Sequence, residues 1–374
     1  MILRVPDYYD EFKCIASNCR DVCCRGWEID VDEDTKNYYM SLDNEIGDRL
    51  RAGLGEAEDG TAIFKLKKNG RCPFLNSANL CDICIKMGEE SLSEICTEYP
   101  RFGIEYGTVL QKCLSLACEE VGRIIFNKNE PIAIVDYEKP EIQYDLAEDD
   151  QEREEIAFLE EVQNKLIEII ENRDKKLKVR IVEFLEYASK AQEAFNAGEF
   201  DVKKIDKVAE DVLKIDTEAK LWKDKKASFE NFKIRYDIFN SLETINEEWI
   251  TFKEDMYKAY SDEEVYTNML DAFVASDSFR ENDYENLMVY FIFRYFMNSV
   301  YDNNVFSKAK VAVYCSRFIL DMDAYTFNKN GEIYTNVNRI DNAKLFSKEV
   351  EHSEENMEVV EDEMNFTDSK DLLM

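Results

Sequence analysis

The stretch Glu155-Ile-Ala-Phe-Leu-Glu-Glu-Val-Gln-Asn-Lys-Leu-Ile-Glu-Ile-Ile170 decides the fold class. Its apolar residues Ile156, Leu159, Val162, Leu166 and Ile169 recur at steps of three and four, the spacing that lines one face of an α-helix. Downstream, Val179, Val182, Phe184 and Leu185 predict a second helix, and Phe229–Phe239 a third. Leu287, Phe291 and Tyr295 mark a strongly apolar helix that should be buried, and Arg317–Leu320 closes the series before a turn at Asn328–Gly331. A short extended piece is expected over Glu332–Val337. From about Ser347 the chain turns polar and acidic, and residues 347–374 read as a disordered tail.

Upstream, Pro131, Pro140 and the acidic cluster Glu148–Glu155 make residues 129–155 a polar connection. Residues 1–128 hold ten of the eleven cysteines and form a cysteine-rich domain, with loops around Gly53–Gly60 and Lys67–Arg71. Residues 156–346 form a helical domain. Only 5 Pro and 12 Gly among 374 residues leave little material for strands and tight turns. The expected fold class is mainly α: a small cysteine-rich metal-binding N-terminal domain followed by a helical domain.

Aromatics make up 12% of the chain, enough for a real core, and the formal net charge is -33. Most of the acidic excess lies after residue 128. Such a surface repels phosphate backbones and anionic headgroups, which argues against nucleic-acid and membrane roles and suits a basic, lysine-bearing partner. The N-terminus Met1-Ile-Leu-Arg-Val-Pro lacks the basic and apolar regions of a signal peptide. The apolar run Leu287–Met297 is broken by Arg294 and too short to span a bilayer. The expected location is cytoplasmic, where thiols stay reduced and a disulfide framework is not expected.

The thiols therefore call for another explanation. Cys14, Cys19, Cys23 and Cys24 precede Gly26-Trp27; Cys72 follows Arg71; Cys81 and Cys84 have C-x2-C spacing; Cys96, Cys113 and Cys118 complete the set. A short helix capped by Ser17 or Asn18 would put Cys19 and Cys23 on one face, with Cys24 about 100° round it. Gly26 would let the chain turn away. The single histidine, His352, falls in the acidic tail, so any metal is held by thiolates, with or without carboxylates or an open position. All-thiolate sites suit zinc or iron–sulfur. Spacing leaves both open, with buried free thiols as a third reading. Iron–sulfur is favoured because ordinary zinc fingers use tidier paired knuckles.

Other features read as structural. Cys315 in an apolar helix is core, His352 a solvated residue, and the aromatic rows of the C-terminal half packing. Gly53-Leu54-Gly55 has no strand–turn–helix frame and is no dinucleotide fingerprint.

The series Tyr8-Tyr9-x3-…-Cys14…Cys19…Cys23-Cys24-x-Gly26-Trp27, then Arg71-Cys72-Pro-Phe-Leu75, Leu80-Cys81 and Cys96-x2-Tyr99-Pro-Arg101, resembles the flagellin lysine N-methylase family. The similarity is strongest over residues 8–118 and continues through Glu285–Phe296. It implies a bacterial enzyme moving methyl groups from S-adenosylmethionine to lysine ε-amines of flagellin. It also implies an iron–sulfur cluster, of the 4Fe-4S kind, with zinc as the alternative. The metal ligands carried over are Cys14, Cys19, Cys23, Cys24, Cys72, Cys81, Cys96, Cys113 and Cys118. Cys84 departs from the pattern, where a tyrosine is usual.

The residues themselves show no glycine-rich S-adenosylmethionine loop and no compact C-x3-C-x2-C. Glu98, Tyr99 and Tyr106 are candidates for aligning an amine, against a plainer role packing a metal site. An open iron is a candidate for binding the cofactor's amino and carboxylate groups. The rival readings are a non-enzymatic iron- or zinc-binding module and an interaction protein stabilised by zinc.

Overall fold

A computed structural model describes residues 1–27, 29–57, 59–139, 150–205, 225–368 and 372. The chain is mainly helical, as its periodicity implies. The first strand, β1 (Ile2–Pro6), is followed by α1 (Glu33–Ser41), α2 (Glu45–Gly53), β2 (Leu54–Glu56), β3 (Ala62–Phe64), α3 (Asp82–Met87) and α4 (Glu94–Glu98). Next come β4 (Arg101–Tyr106), β5 (Val109–Leu114), α5 (Glu119–Asn127) and β6 (Ile134–Glu138).

The helical part comprises α6 (Asp150–Glu171), α7 (Leu177–Asn196), α8 (Lys225–Ser241), α9 (Glu247–Ala259), α10 (Glu263–Val274) and α11 (Glu281–Tyr295). A short α12 (Ser299–Asp302) leads to α13 (Val305–Lys329), α14 (Asn336–Val350) and α15 (Glu354–Phe366). The four predicted helical segments fall within α6, α7, α8 and α11, and α13 ends where the turn at Asn330–Gly331 begins.

Strands contribute more than the low glycine and proline content implies. β4-β5-β1-β6 form one sheet, in which Ile2–Arg4 run parallel to Val109–Gln111 and β6 returns antiparallel on the other side. β6 lies in the stretch expected to be a plain connection. This pairing joins the chain's first residues to segments a hundred positions away, which no local propensity reveals. The sheet docks on α11 through Gln111, whose amide donates to the Phe293 carbonyl at 2.5 Å and accepts from Tyr106 at 2.8 Å.

Two apolar cores result. The larger combines Tyr8, Tyr106, Val109 and Leu114 with the helices from α5 to α15. The smaller holds Val22, Ile29, Val31, Tyr39, Leu50, Phe64, Cys72, Phe74 and Ile83. Helices α11 and α13 are buried nearly all round, as an apolar sequence without a polar stripe requires. Their buried charges are paired: Arg235 with Asp321 at 2.8 Å and Arg180 with Glu285 at 2.5 Å.

Three local expectations are corrected. Cys19 and Cys23 do not share a helix; one 3-10 turn, Ala16–Asn18, ends with Cys19 in extended backbone. The piece expected to be extended over Glu332–Val337 is helical from Asn336, because the Thr335 hydroxyl and the Asn338 side chain form a reciprocal capping box. Within the expected disordered tail, Ser347–Val350 end α14 and Glu354–Phe366 form α15. Met357, Val360 and Met364 recur at three and four residues and pack into the main core, and Ser353 caps α15. Residues 140–149, including the start of the predicted acidic cluster, lie outside the described residues. Among the described residues no helix is long and apolar enough to cross a membrane.

Candidate functional site

Most of the thiols stand on loops and short helices that the small lobe ties together. The Cys72 amide donates to the Cys24 carbonyl at 2.9 Å, and Gly26 N–H donates to Gly70 O at 3.0 Å. Gly26 makes the turn with φ +88, and a Cβ there would meet Asn246 Oδ1 at 2.8 Å, so the bend needs glycine twice over. A Leu75–Cys81 bridge folds Cys81 back beside Cys72, and Cys81 opens α3, which carries Cys84. Cys96 lies on α4, and Cys118 opens α5.

Mutual electrostatics define the grouping. Cys24 feels Cys23, Cys96 and Cys72; Cys96 feels Cys72, Cys81 and Cys23; Cys118 feels Cys23 and Cys19. Cys84 feels Cys81 and Cys14, so the thiol that departs from the family pattern sits among the others. The Cys23 and Cys24 Sγ atoms are 3.7 Å apart; their hydrogen bond lowers Cys23 and raises Cys24. Burial, reinforced by neighbouring thiols, pushes Cys72 up to about 11 and Cys96 and Cys118 up to about 12. Cys113 stands apart, buried on β5 beside Arg294 and Glu351. Cys315 is core.

This donor set fits a thiolate-bound centre in kind: thiols gathered on the loops and short helices of one lobe. Among the described residues no three Cys, His, Asp or Glu side chains converge as ion ligands.

Between the lobe and the helices opens a cleft of about 1360 Å³. Ten carboxylates line it, including Asp30, Glu98, Glu243, Glu351 and Glu358, against Arg101, Arg294 and Lys308. One wall is aromatic. Trp27 stacks on Tyr99 with ring centroids 6.0 Å apart, and His352 lies 5.6 Å from Trp27 and 6.1 Å from Tyr99. Phe102 on β4 is 6.5 Å from His352 and exposed to the cleft.

Behind this wall Glu351 Oε2 accepts hydrogen bonds from Tyr290 at 2.7 Å and Tyr295 at 2.8 Å and pairs with Arg294 at 3.2 Å. Arg294 also covers Phe102 at 4.3 Å. Burial opposes the Arg294 charge, but the phenols and Glu351 hold it protonated. Burial, then Arg294 and Lys348, hold the His352 imidazolium down to about 3, so this histidine is neutral. His352 is thus no solvated tail residue. Lys348, one turn before it on α14, pairs with Asp21 at 2.5 Å and pulls the α14–α15 joint onto the cysteine loops.

The residues suggested for amine alignment separate. Tyr99 lines the cleft, with burial pushing its phenol up, and Glu98 lines it too while pairing with Lys112 at 2.7 Å. Tyr106 packs under the sheet against Gln111 and Arg4 instead. Sequence reasoning missed Glu351 and misread His352 because both sit in a polar stretch. Arg294 does carry a sequence signal, a charge inside the most apolar run of the chain.

The profile of the FliB lysine N-methylase C-terminal domain matches residues 163–374. The chain belongs to the FliB lysine N-methylase family. Family resemblance extends to curated proteins. A lysine-N-methylase of Salmonella typhimurium is 34% identical over 143 residues, which cover 34% of this chain and 33% of that protein. A flagellar biosynthetic protein FliU of Salmonella muenchen is 34% identical over 143 residues, covering 79% of its length. The matched region thus spans about a third of the curated lysine-N-methylase. No solved structure matches the chain.

Proposed function

We propose that this chain is a protein-lysine N-methyltransferase that transfers methyl groups from S-adenosylmethionine to lysine ε-amines of flagellin. The observation that carries the reading is the acidic, aromatic-walled cleft between the cysteine lobe and the family-specific helices. Its carboxylates attract a lysine-bearing segment. Its volume exceeds that usual for one small molecule, leaving room for a cofactor beside a substrate chain. S-adenosylmethionine supplies an activated methyl on sulfur. The neutral amine's lone pair forms the N–C bond as the C–S bond breaks, and the amine afterwards releases its proton. The aromatic wall excludes water from the reacting amine, and the cleft's carboxylates hold its lysine near the lobe.

The thiols of Cys14, Cys19, Cys23, Cys24, Cys72, Cys81, Cys96 and Cys118 would hold an iron–sulfur cluster, with zinc as the alternative. A cluster tied to these loops would cross-link them and offer an iron position for the cofactor's amino and carboxylate groups. Cys113, which the resemblance also implies as a ligand, is left out of that set because it stands apart on β5 beside Arg294 and Glu351.

Incubation with flagellin and methyl-labelled S-adenosylmethionine tests the activity. Label on flagellin lysines is expected. Its absence, with metal bound, would favour a non-enzymatic iron- or zinc-binding module.

A further inference from the structure

We infer that the wall of Trp27, Tyr99, Phe102 and His352, with Glu351 behind it, binds the alkylammonium head of lysine and holds it more tightly as it is methylated. The inference rests on the lysine-methyltransferase reading and assigns that reading a subsite.

Four rings from three separate parts of the chain meet here, and all border the cleft. Trp27 comes from the loop after Cys24, Tyr99 from the end of α4, Phe102 from β4 and His352 from the joint between α14 and α15. Aromatic faces carry partial negative charge and attract cations, best when the cation has shed water. Arg294 already uses this property on Phe102.

Unused hydrogen-bonding capacity points the same way. Glu351 Oε1, His352 Nε2 and Tyr99 Oη are buried without a partner, and all three residues line the cleft. Buried polar atoms in native proteins nearly always have partners. An ammonium brings donors, and its methylated forms exchange donors for methyl groups that lie against rings.

The two cations that disfavour a charge on His352 each have an anionic partner. Arg294 is matched by Glu351, and Lys348 by Asp21. Neutral His352 adds none. Glu98 is paired with Lys112, and Glu354 and Glu355 outnumber Arg101 at the rim. A sulfonium has the same chemistry of a methyl-bearing cation, so the cofactor's head is the competing occupant.

The test is calorimetric titration of the full chain with Nα-acetyl-lysine methylamide bearing zero to three ε-methyl groups, and with the uncharged tert-butyl isostere of the trimethylated form. The trimethylammonium ligand is expected to bind about tenfold more tightly than the isostere, the range of a partly desolvated cation–π contact. Trp27→Ala should erase that difference, and the milder Trp27→Phe should reduce it if the alanine variant does not fold. S-adenosylmethionine affinity should stay unchanged in whichever folded Trp27 variant is used. Equal binding of charged and neutral ligands, no effect of the folded Trp27 variant, or a matching loss of S-adenosylmethionine binding would each overturn the subsite. Label transfer to flagellin by a chain that does not bind these amines would overturn this inference and leave the methyltransferase reading standing. Amine binding without label transfer would do the reverse.

Discussion

The imidazole of His352 lies 5.6 Å from the indole of Trp27, although the two residues come from opposite ends of the chain. The contact exists because α14 ends at Val350 and α15 begins at Glu354, leaving Glu351–Ser353 as a tight joint. Lys348 and Lys344 at the end of α14 both reach Asp21, at 2.5 and 3.4 Å, and draw the joint against the cysteine loops. One floor of the cleft is therefore made jointly by the cysteine lobe and the last two helices.

Removing that clamp should loosen the lobe without unfolding the helices. Lys348→Ala leaves a partly buried Asp21 with the longer Lys344 contact as its cation and the Val22 amide as donor, at a cost of roughly 1–2 kcal/mol. Hydrogen exchange should quicken around residues 19–27 and 348–353 and remain slow in α13. Combining Lys348→Ala with Asp21→Asn should cost less than the sum of the two; simple additivity would show that the pair does not act as a clamp.

Glu351 is the keystone of the buried polar group behind the wall. Glu351→Ala leaves Arg294 charged and buried and deprives two phenols of their acceptor. A loss of about 3–5 kcal/mol in urea denaturation is expected. Glu351→Gln keeps an acceptor and should lose clearly less. A neutral result for the alanine variant would mean that solvent reaches Arg294.

His352 makes the protein lose stability in mild acid. Its folded pKa is depressed from 6.5 to about 3, so the unfolded chain takes up the proton first as pH falls. The stability present above 6.5 is then lost towards pH 3, by at most about 1.4 kcal/mol per pH unit. His352→Gln should flatten this slope in unfolding measurements at pH 7 and pH 5. An unchanged slope would show that the ring titrates as it does in water.

Glu171 acts with the opposite sign. Burial raises its carboxyl from 4.5 to about 7, against the Ile132 amide that donates to it at 2.6 Å. Its contribution is full below 4.5 and lost as pH rises through about 7. Glu171→Gln keeps the acceptor without the charge. It should melt a few degrees higher than the parent at pH 8, and the gap should shrink as pH falls to 4.5. A gap independent of pH would count against the raised carboxyl.

The metal prediction concerns the small lobe. Anaerobically purified protein should contain iron and sulfide in near-equal amounts; stoichiometric zinc without sulfide would replace the cluster with the alternative. Chelation should expose amides between Val22 and Glu98, whose core is separate from the helical one, and leave α11 and α13 protected. Uniform exposure of both cores would show that they unfold as one.

Chain periodicity alone determined that this protein is mainly helical, because the three- and four-residue recurrence from Ile156 to Ile169 is a local property that packing then exploits. The thiol density of residues 14–118 is likewise a property of the sequence, and the proposal of a thiolate-bound centre rests on it. The same reasoning misjudged α15, where acidic residues outnumber the spaced Met357, Val360 and Met364 that a core needs. Tertiary structure decided the rest. The parallel pairing of Ile2–Arg4 with Val109–Gln111, the separation of Cys113 from the other thiols and the meeting of His352 with Trp27 all depend on how distant segments dock. Their energies come from buried area and paired charges across the fold, which no window of sequence contains.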